Sequence, residues 1–178
     1  MPPVILAPLF GAVAGLLAVA GFLKLCSPAH GSDTYPAPGP ALGVRGARAV
    51  AVTELALGGV ALAVPGRVVA ALMAAAFAAF AAYTIRLLVT ADGPVDCGCF
   101  GEAGGTVGPG HVVLDLACVG VGLAAVVSPP PALASIVGHA PFEGAVLLCG
   151  IAAAVYALYL AYTQLPAAWS AYAGAGRE

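Results

Sequence analysis

Five apolar segments, each long enough to cross a bilayer, constrain this chain more than any other feature of its sequence. A membrane-spanning helix needs roughly 17 to 25 predominantly apolar residues. The segments cover residues 4–25, 47–64, 67–89, 111–127 and 142–165. Only 8% of the residues are charged, whereas a soluble domain carries about 25%, and the mean hydropathy is +1.04. The sequence therefore predicts an all-α, polytopic membrane protein and excludes an ordinary soluble enzyme.

Turn signals organise these segments into a bundle. Pro65-Gly66 separates the second segment from the third, and the prolines at 129–131 end the fourth, because proline cannot continue a helix. No basic residue precedes the first segment, so we expect a retained helix rather than a signal peptide. The predicted units are a four-helix membrane bundle at 1–127 with a polar loop at 90–110, a fifth transmembrane helix at 142–165, and a short tail at 166–178.

The alternation of the helices places three polar stretches on one side of the membrane. They are loop 26–46, loop 90–110 and the C-terminus, and we name this side the cysteine face. Loop 26–46 contains four prolines and several glycines, which predicts an ordered or partly ordered loop. Gly11 and Gly15 form a G-x-x-x-G step, which favours close packing of the first helix against another.

The motif that carries chemistry is VDCGCFG at residues 95–101. One residue separates Cys97 from Cys99, so a disulfide between them is tight, and Gly98 removes the Cβ that would oppose the tight backbone. So short a ring restrains the unfolded chain little, and a strained, exposed disulfide exchanges readily. We therefore predict a working redox pair, with Cys97 and Cys99 as the catalytic residues.

Three further cysteines need a separate interpretation. Cys26 closes the first segment at the cysteine face and is the candidate resolving thiol, with a spare buried thiol as the alternative. Cys118 and Cys149 lie within apolar segments and are expected to pack as small apolar side chains. The pair in the loop could also bind a soft metal together with His111 or His30, but protein metal sites need three or four ligands, so no metal is predicted. His111 is instead expected at the N-terminal end of the fourth helix.

Among the ionisable residues in the segments, we single out four near the cysteine face: Lys24, Glu54, Arg86 and Asp115. A lone charge in hydrocarbon costs on the order of 3 kcal/mol or more, so we expect these charges to pair inside the bundle. For Lys24 and Arg86 the alternative is snorkelling to the interface. For Glu54 and Asp115 the alternatives are a structural salt bridge or hydrogen bond that locks the bundle, and a proton relay for the cysteines.

These residues together resemble the MauE group of the DoxX-like membrane proteins, named for methylamine utilisation. The resemblance rests on CGCFG at 97–101, on the A-G-x-x-K-L ending of the first segment at 20–25, and on Glu54 and Arg86. It covers about residues 10–127, so the fifth segment is an addition to the four-helix core of the family.

The resemblance implies a membrane bundle that takes part in thiol–disulfide chemistry, often beside a thioredoxin-like partner. In the methylamine setting it implies a link to maturation of the disulfide-rich small subunit of methylamine dehydrogenase. It carries over Cys97 and Cys99 as the redox pair. It also carries over three motif residues without an assigned role: Lys24, Glu54 and Arg86.

Two arguments about membrane orientation oppose each other. The basic residues concentrate on the cysteine face, which by the positive-inside rule directs that face to the cytoplasm. Disulfides, however, persist in oxidising compartments outside the cytoplasm. Because two of the basic residues, Lys24 and Arg86, are candidates for intramembrane pairs, we expect the cysteine loop on the extracytoplasmic face of the plasma membrane.

The sequence leaves open whether the chain is an enzyme, and thiol–disulfide oxidoreductase is the class to which it points. In that hypothesis a thioredoxin-like protein is the partner and a quinone is a possible electron acceptor, although no residue marks a quinone site. The alternatives are a non-enzymatic assembly or scaffold subunit that binds another membrane subunit, and a metal- or ion-handling membrane protein. A net charge of −2 without a basic cluster excludes a nucleic-acid partner, and the lipid bilayer is the solvent.

Overall fold

The computed structural model describes residues 3–27, 44–91, 93, 95, 97–101 and 105–175. Six α-helices form within these residues: α1 (Pro3–Cys26), α2 (Val44–Ala63), α3 (Arg67–Thr90), α4 (Pro109–Val127), α5 (Leu133–His139) and α6 (Pro141–Ala175). All but α5 are long and apolar enough to cross a membrane. The prediction of an all-α, polytopic membrane protein is therefore confirmed.

Two parts of the chain differ from the sequence prediction. The short helix α5 lies between the prolines at 129–131 and Pro141, where two helical turns are too few to leave a periodic signal. Helix α6 does not end near residue 165 but continues through the predicted tail to Ala175. Most of loop 26–46, for which we predicted an ordered or partly ordered loop, lies outside the described residues.

Helices α1 and α2 approach each other through two glycines, one on each helix. A Cβ placed on Gly21 of α1 would lie 2.5 Å from the carbonyl oxygen of Ala51 in α2. A Cβ placed on Gly58 of α2 would lie 2.6 Å from the backbone nitrogen of Ala18 in α1. The two backbones are therefore in direct contact, which is how helices of small residues pack in lipid, where van der Waals contact replaces the hydrophobic effect.

Helices α3 and α4 form the second closely packed pair. A Cβ on Gly122 of α4 would lie 2.9 Å from the Cβ of Ala74 in α3, so this contact also depends on a glycine. The core between the two pairs is built mainly by α1, which is the most enclosed of the five spanning helices. Its buried side chains Leu6, Phe10 and Leu17 share one hydrophobic cluster with residues of α3, α4 and α6.

Helix α6 packs on α1 through the G-x-x-x-G step. A Cβ on Gly11 or on Gly15 would lie 2.7 Å from the side chains of Ile151 and Val155, respectively. The predicted role of these glycines in close helix packing is confirmed. Because α6 fills the space that they leave, it belongs to the bundle and does not stand apart from the four preceding spanning helices.

Candidate functional site

The cysteine loop is a tight turn that carries a disulfide. Cys97 and Cys99 are bonded to each other, with their Cα atoms 5.2 Å apart. Gly98 and Gly101 have φ angles of 63° and 64°, a region in which a residue with a Cβ is disfavoured. The Gly101 N–H donates to the Gly98 carbonyl oxygen at 3.3 Å, which closes the turn around Cys99 and Phe100. The glycines of CGCFG are therefore what lets the chain fold back on itself here.

Two backbone hydrogen bonds tie the outgoing arm of the loop to the returning arm. The Cys97 N–H donates to the Gly105 carbonyl oxygen at 3.1 Å, and the Val107 N–H donates to the Val95 carbonyl oxygen at 2.8 Å. Both bonds join the arm that leads into the turn to the arm that leads out of it. The position of the disulfide is thus set by backbone bonding as well as by the turn itself.

The two sulfur-bearing residues differ in exposure. Cys97 is 3% exposed, whereas Cys99 is only partly buried. Phe100, the next residue, is buried and belongs to the main hydrophobic cluster of the bundle. A reactant that approaches the loop from solvent therefore reaches Cys99 before it reaches Cys97.

Phe100 anchors the loop on α6. Its ring packs edge to face against Tyr159 at 5.4 Å and against Tyr162 at 5.6 Å between centroids. The returning arm also touches α6, because a Cβ on Gly105 would lie 2.7 Å from the carbonyl oxygen of Thr163. The loop is therefore seated on the fifth spanning helix.

The loop also touches the end of α1. A Cβ on Gly101 would collide with the side chain of Ser27, whose O–H group donates to the Leu23 carbonyl oxygen at 2.9 Å. Cys26, the candidate resolving thiol, directly precedes Ser27 and is a free, exposed cysteine. Its resolving role stays a prediction. Its neighbour Ser27 is the residue that contacts the loop.

Lys24 and Glu54 form an ion pair inside the bundle. The Lys24 ammonium lies 2.5 Å from Glu54 Oε1, and the Glu54 side chain is 4% exposed. The same ammonium lies 5.5 Å from the ring centroid of Phe80 in α3, a cation–π arrangement. The expected pairing is confirmed for these two residues. Arg86 is exposed at the surface of α3, which agrees with the snorkelling alternative.

Asp115 meets a tyrosine of α6. The Tyr162 hydroxyl donates to Asp115 Oδ1 at 2.8 Å, and both residues are buried. The Cys118 thiol lies next to the same hydroxyl. The buried Thr84 hydroxyl of α3 lies beside the same carboxylate. Asp115 therefore forms a buried hydrogen bond with α6, which agrees with the predicted alternative of a hydrogen bond that locks the bundle rather than with a salt bridge.

His111 lies in the first turn of α4, the position that the sequence predicts, and it caps that turn. Its Nδ1 accepts from the Gly108 N–H at 3.2 Å. Its ring packs edge to face on Tyr162 at 5.7 Å and lies beside the Tyr162 backbone carbonyl. Pro166, four residues after Tyr162, has no N–H to offer that carbonyl. The histidine thus joins α4 to α6 at the level of the cysteine loop.

The remaining candidate ligands do not form a further centre in the part of the chain that the structure describes. Cys118 is buried, in agreement with its predicted packing role, whereas Cys149 is exposed on α6. No three side chains of His, Cys, Asp or Glu come together there in a way that could hold a metal ion. A small depression lined by Ala7, Pro65 and Pro131 lies at the opposite end of the bundle. The quinone stays a possibility raised by the sequence alone.

Comparison with known protein families decides the relationship. The family model described as methylamine utilisation protein MauE matches residues 2–129, which is more than half of the chain. The chain belongs to the MauE family. It is therefore a multi-pass membrane protein of a family linked to methylamine utilisation. No curated protein and no solved structure gives a significant match.

The MauE match has a boundary that matters for the site. It includes Cys97, Cys99 and the Lys24–Glu54 pair, but it ends at residue 129, before α5 and α6. Tyr159 and Tyr162, which hold Phe100, therefore lie outside the matched residues of this MauE chain. Neither tyrosine could be recognised as a site residue in the sequence, because an aromatic residue in a spanning helix is usually a lipid-facing or core residue. The spacing of Ile151, Val155, Tyr159 and Tyr162 on one face of α6 was the available signal.

Proposed function

We propose that this protein is an integral membrane thiol–disulfide exchange protein and that Cys97 and Cys99 are its redox pair. The observation that carries the proposal is the Cys97–Cys99 disulfide itself, seated in a glycine turn at one end of the bundle. A disulfide across two residues closes too short a ring to restrain the unfolded chain usefully, so a stapling role explains it poorly. A role in exchange explains both its position and the partial exposure of Cys99.

The exchange step follows from the difference in exposure. A thiolate of a thioredoxin-like dithiol attacks Cys99 Sγ, the bond to Cys97 breaks, and Cys97 leaves as a thiolate that takes up a proton. The second thiolate of the partner then attacks its own sulfur in the mixed disulfide, and Cys99 leaves and is protonated. The partner loses two electrons and two protons, and Cys97 and Cys99 gain them. The step is reversible, and its direction depends on the reduction potentials of the two pairs.

The thioredoxin-like partner is part of the proposal. The family is linked to methylamine utilisation, and the resemblance noted above connects it to maturation of the disulfide-rich small subunit of methylamine dehydrogenase. A redox pair at the membrane surface could supply the disulfides that such a protein needs. We include a substrate of this type, a secreted protein with several disulfides, in the proposal.

Exchange can be measured on the purified protein in lipid nanodiscs with reduced thioredoxin as the probe. We expect thioredoxin to become oxidised with one equivalent of Cys97–Cys99 disulfide consumed. The matched control is Cys149→Ser, because Cys149 is an exposed thiol of α6 without a predicted role in exchange, and this variant should retain exchange. If the double variant Cys97→Ser/Cys99→Ser oxidises thioredoxin as fast as the unaltered protein, the proposal is wrong. An assembly subunit or a metal-handling protein would then be the better hypothesis.

The proposal also places the cysteine loop on the extracytoplasmic face of the plasma membrane, where disulfides persist. The test uses intact cells that carry the variant without Cys26, Cys118 and Cys149, and a membrane-impermeant maleimide. We expect labelling only after treatment with an impermeant reductant. Labelling that requires opening of the cells would place the loop in the cytoplasm and would contradict this part of the proposal.

A further inference from the structure

We infer that α6 is a functional part of the cysteine site and that Tyr162 is its positioning residue. Phe100 follows Cys99 directly, and its buried ring is held between Tyr159 and Tyr162. The turn that carries the disulfide can therefore leave its place only if this aromatic contact opens. The inference rests on the proposed redox role of the cysteine pair and adds to it a helix outside the residues that the family model matches.

Tyr162 makes a second contact with a different element. Its hydroxyl donates to Asp115 of α4, while its ring faces Phe100 of the loop and His111. One side chain therefore connects the loop, the buried carboxylate and the first turn of α4. A tyrosine can do this because its ring supplies apolar contact and its hydroxyl supplies a hydrogen bond.

The position of Tyr162 is itself determined by the packing of α6 on α1. Ile151 and Val155 fit against Gly11 and Gly15, and these residues share a helix face with Tyr162. Docking of α6 along the glycine step thus brings the tyrosine to the level of the loop. Thr163 extends the contact, because its backbone carbonyl lies against Gly105 in the returning arm.

The contact of Phe100 with Tyr159 and Tyr162, which we call the clamp, has a chemical consequence for the redox pair. When the loop is held in its turn, the two thiols of the reduced form stay close together, and a high local concentration favours re-formation of the disulfide. Release of the loop allows the reduced cysteines to separate. Loss of the clamp should therefore shift the equilibrium toward the dithiol and expose Cys97, which is buried in the intact site.

The experiment compares Tyr162→Leu with Tyr162→Phe in nanodiscs. Each variant is equilibrated with mixtures of reduced and oxidised dithiothreitol, and the fraction of Cys97–Cys99 dithiol is measured by alkylation. An aromatic contact of this kind corresponds to an equilibrium shift of about 2- to 10-fold, so Tyr162→Leu should favour the dithiol by that factor. Tyr162→Phe keeps the ring and should shift the equilibrium less. Tyr156→Leu is the matched control, because Tyr156 is 62% exposed on the same helix and should leave it unchanged.

A second variant keeps the test decisive if Tyr162→Leu does not fold. Phe100→Leu removes the other side of the contact and should shift the equilibrium in the same direction by a similar factor. Combining it with Tyr162→Leu should add little, because both changes remove one interaction. The inference is overturned if Phe100→Leu and Tyr162→Leu leave the dithiol fraction unchanged, or if their effects simply multiply. These outcomes are separate from those that test the proposed function, which fails if the unaltered protein does not oxidise thioredoxin or if Cys97→Ser/Cys99→Ser oxidises it equally fast.

Discussion

Replacing Gly58 with alanine tests how closely α1 and α2 approach each other. A Cβ at this position would lie 2.6 Å from the Ala14 carbonyl oxygen and 2.6 Å from the Ala18 nitrogen, both of which belong to the backbone of α1. Optimal separation for a carbon contact is about 3.5–4.0 Å, so the helices would have to separate by close to an ångström. A backbone cannot rotate away as a side chain can, and the strain must therefore spread along the interface.

The neighbouring residue supplies a matched control for this change. A Cβ on Gly59 would have no atom within 4 Å. The gain in helix propensity from glycine to alanine is common to both variants, so it cancels in the comparison. What remains is the cost of overpacking, typically about 1–3 kcal/mol. We expect Gly58→Ala to be less stable than Gly59→Ala by an amount in this range.

The difference in stability can be measured with a thiol of the protein itself. Cys118 is 3% exposed, so a maleimide should label it only after the bundle opens. The exposed thiols Cys26 and Cys149 are blocked beforehand in the folded state. The protein is then titrated with sodium dodecyl sulfate, and labelling of Cys118 reports the unfolded fraction. Equal midpoints for Gly58→Ala and Gly59→Ala would refute the close approach of α1 and α2.

Three other features of the structure give predictions of comparable sharpness. Thioredoxin that lacks its resolving cysteine should be trapped on Cys99 rather than on Cys97, as located by mass spectrometry of the mixed disulfide, because Cys99 is the more exposed. Lys24→Met leaves the Glu54 carboxylate buried without its counter-charge and should destabilise the bundle by about 3–5 kcal/mol, whereas Lys24→Met/Glu54→Leu should recover most of that loss in the detergent titration. Gly101→Ala places a residue with a Cβ in the left-handed φ region and pushes that Cβ against Ser27 at the end of α1. It should lower the free energy of unfolding by at least about 1–2 kcal/mol and increase alkylation of Cys97 after reduction.

Each of these predictions has a result that would contradict it. Equal trapping on both cysteines would mean that the difference in exposure does not direct the attack. A double variant at positions 24 and 54 that is as unstable as Lys24→Met would show that unpaired charge is not the cause. Gly93→Ala is the control for Gly101→Ala, since nothing lies within 4 Å of a Cβ on Gly93. Equal alkylation in these two variants would show that the turn does not need its glycine.

The parts of the fold that depend on composition could be predicted from the sequence. Long apolar segments are visible without knowledge of any contact, because the bilayer acts on each helix separately. The Lys24–Glu54 pair could be predicted in kind, since helix rise places both residues at a similar depth and charges in lipid need partners. The cysteine turn was likewise marked by its own glycines.

The parts that depend on the register between helices could not be predicted. In the sequence Gly58 and Gly59 are equivalent, although only Gly58 faces α1. A salt bridge or a hydrogen bond was predicted for Asp115, but its partner could not be named, because Tyr162 lies 47 residues further along the chain. Nothing local indicates that α6 brings Tyr162 to this position. Such contacts are set by how helices rotate against one another, which single-residue properties do not encode.

The packing of the cysteine loop on α6 determines how the site responds when the protein is dilute in the membrane. Phe100 and Tyr162 belong to the same polypeptide, so their contact forms within one molecule and does not depend on the amount of a second subunit. An equivalent helix supplied by a separate protein would have to be collected from the bilayer, at the cost of association. Here each copy of the chain carries the loop and the helix that holds it in a fixed one-to-one ratio at every expression level.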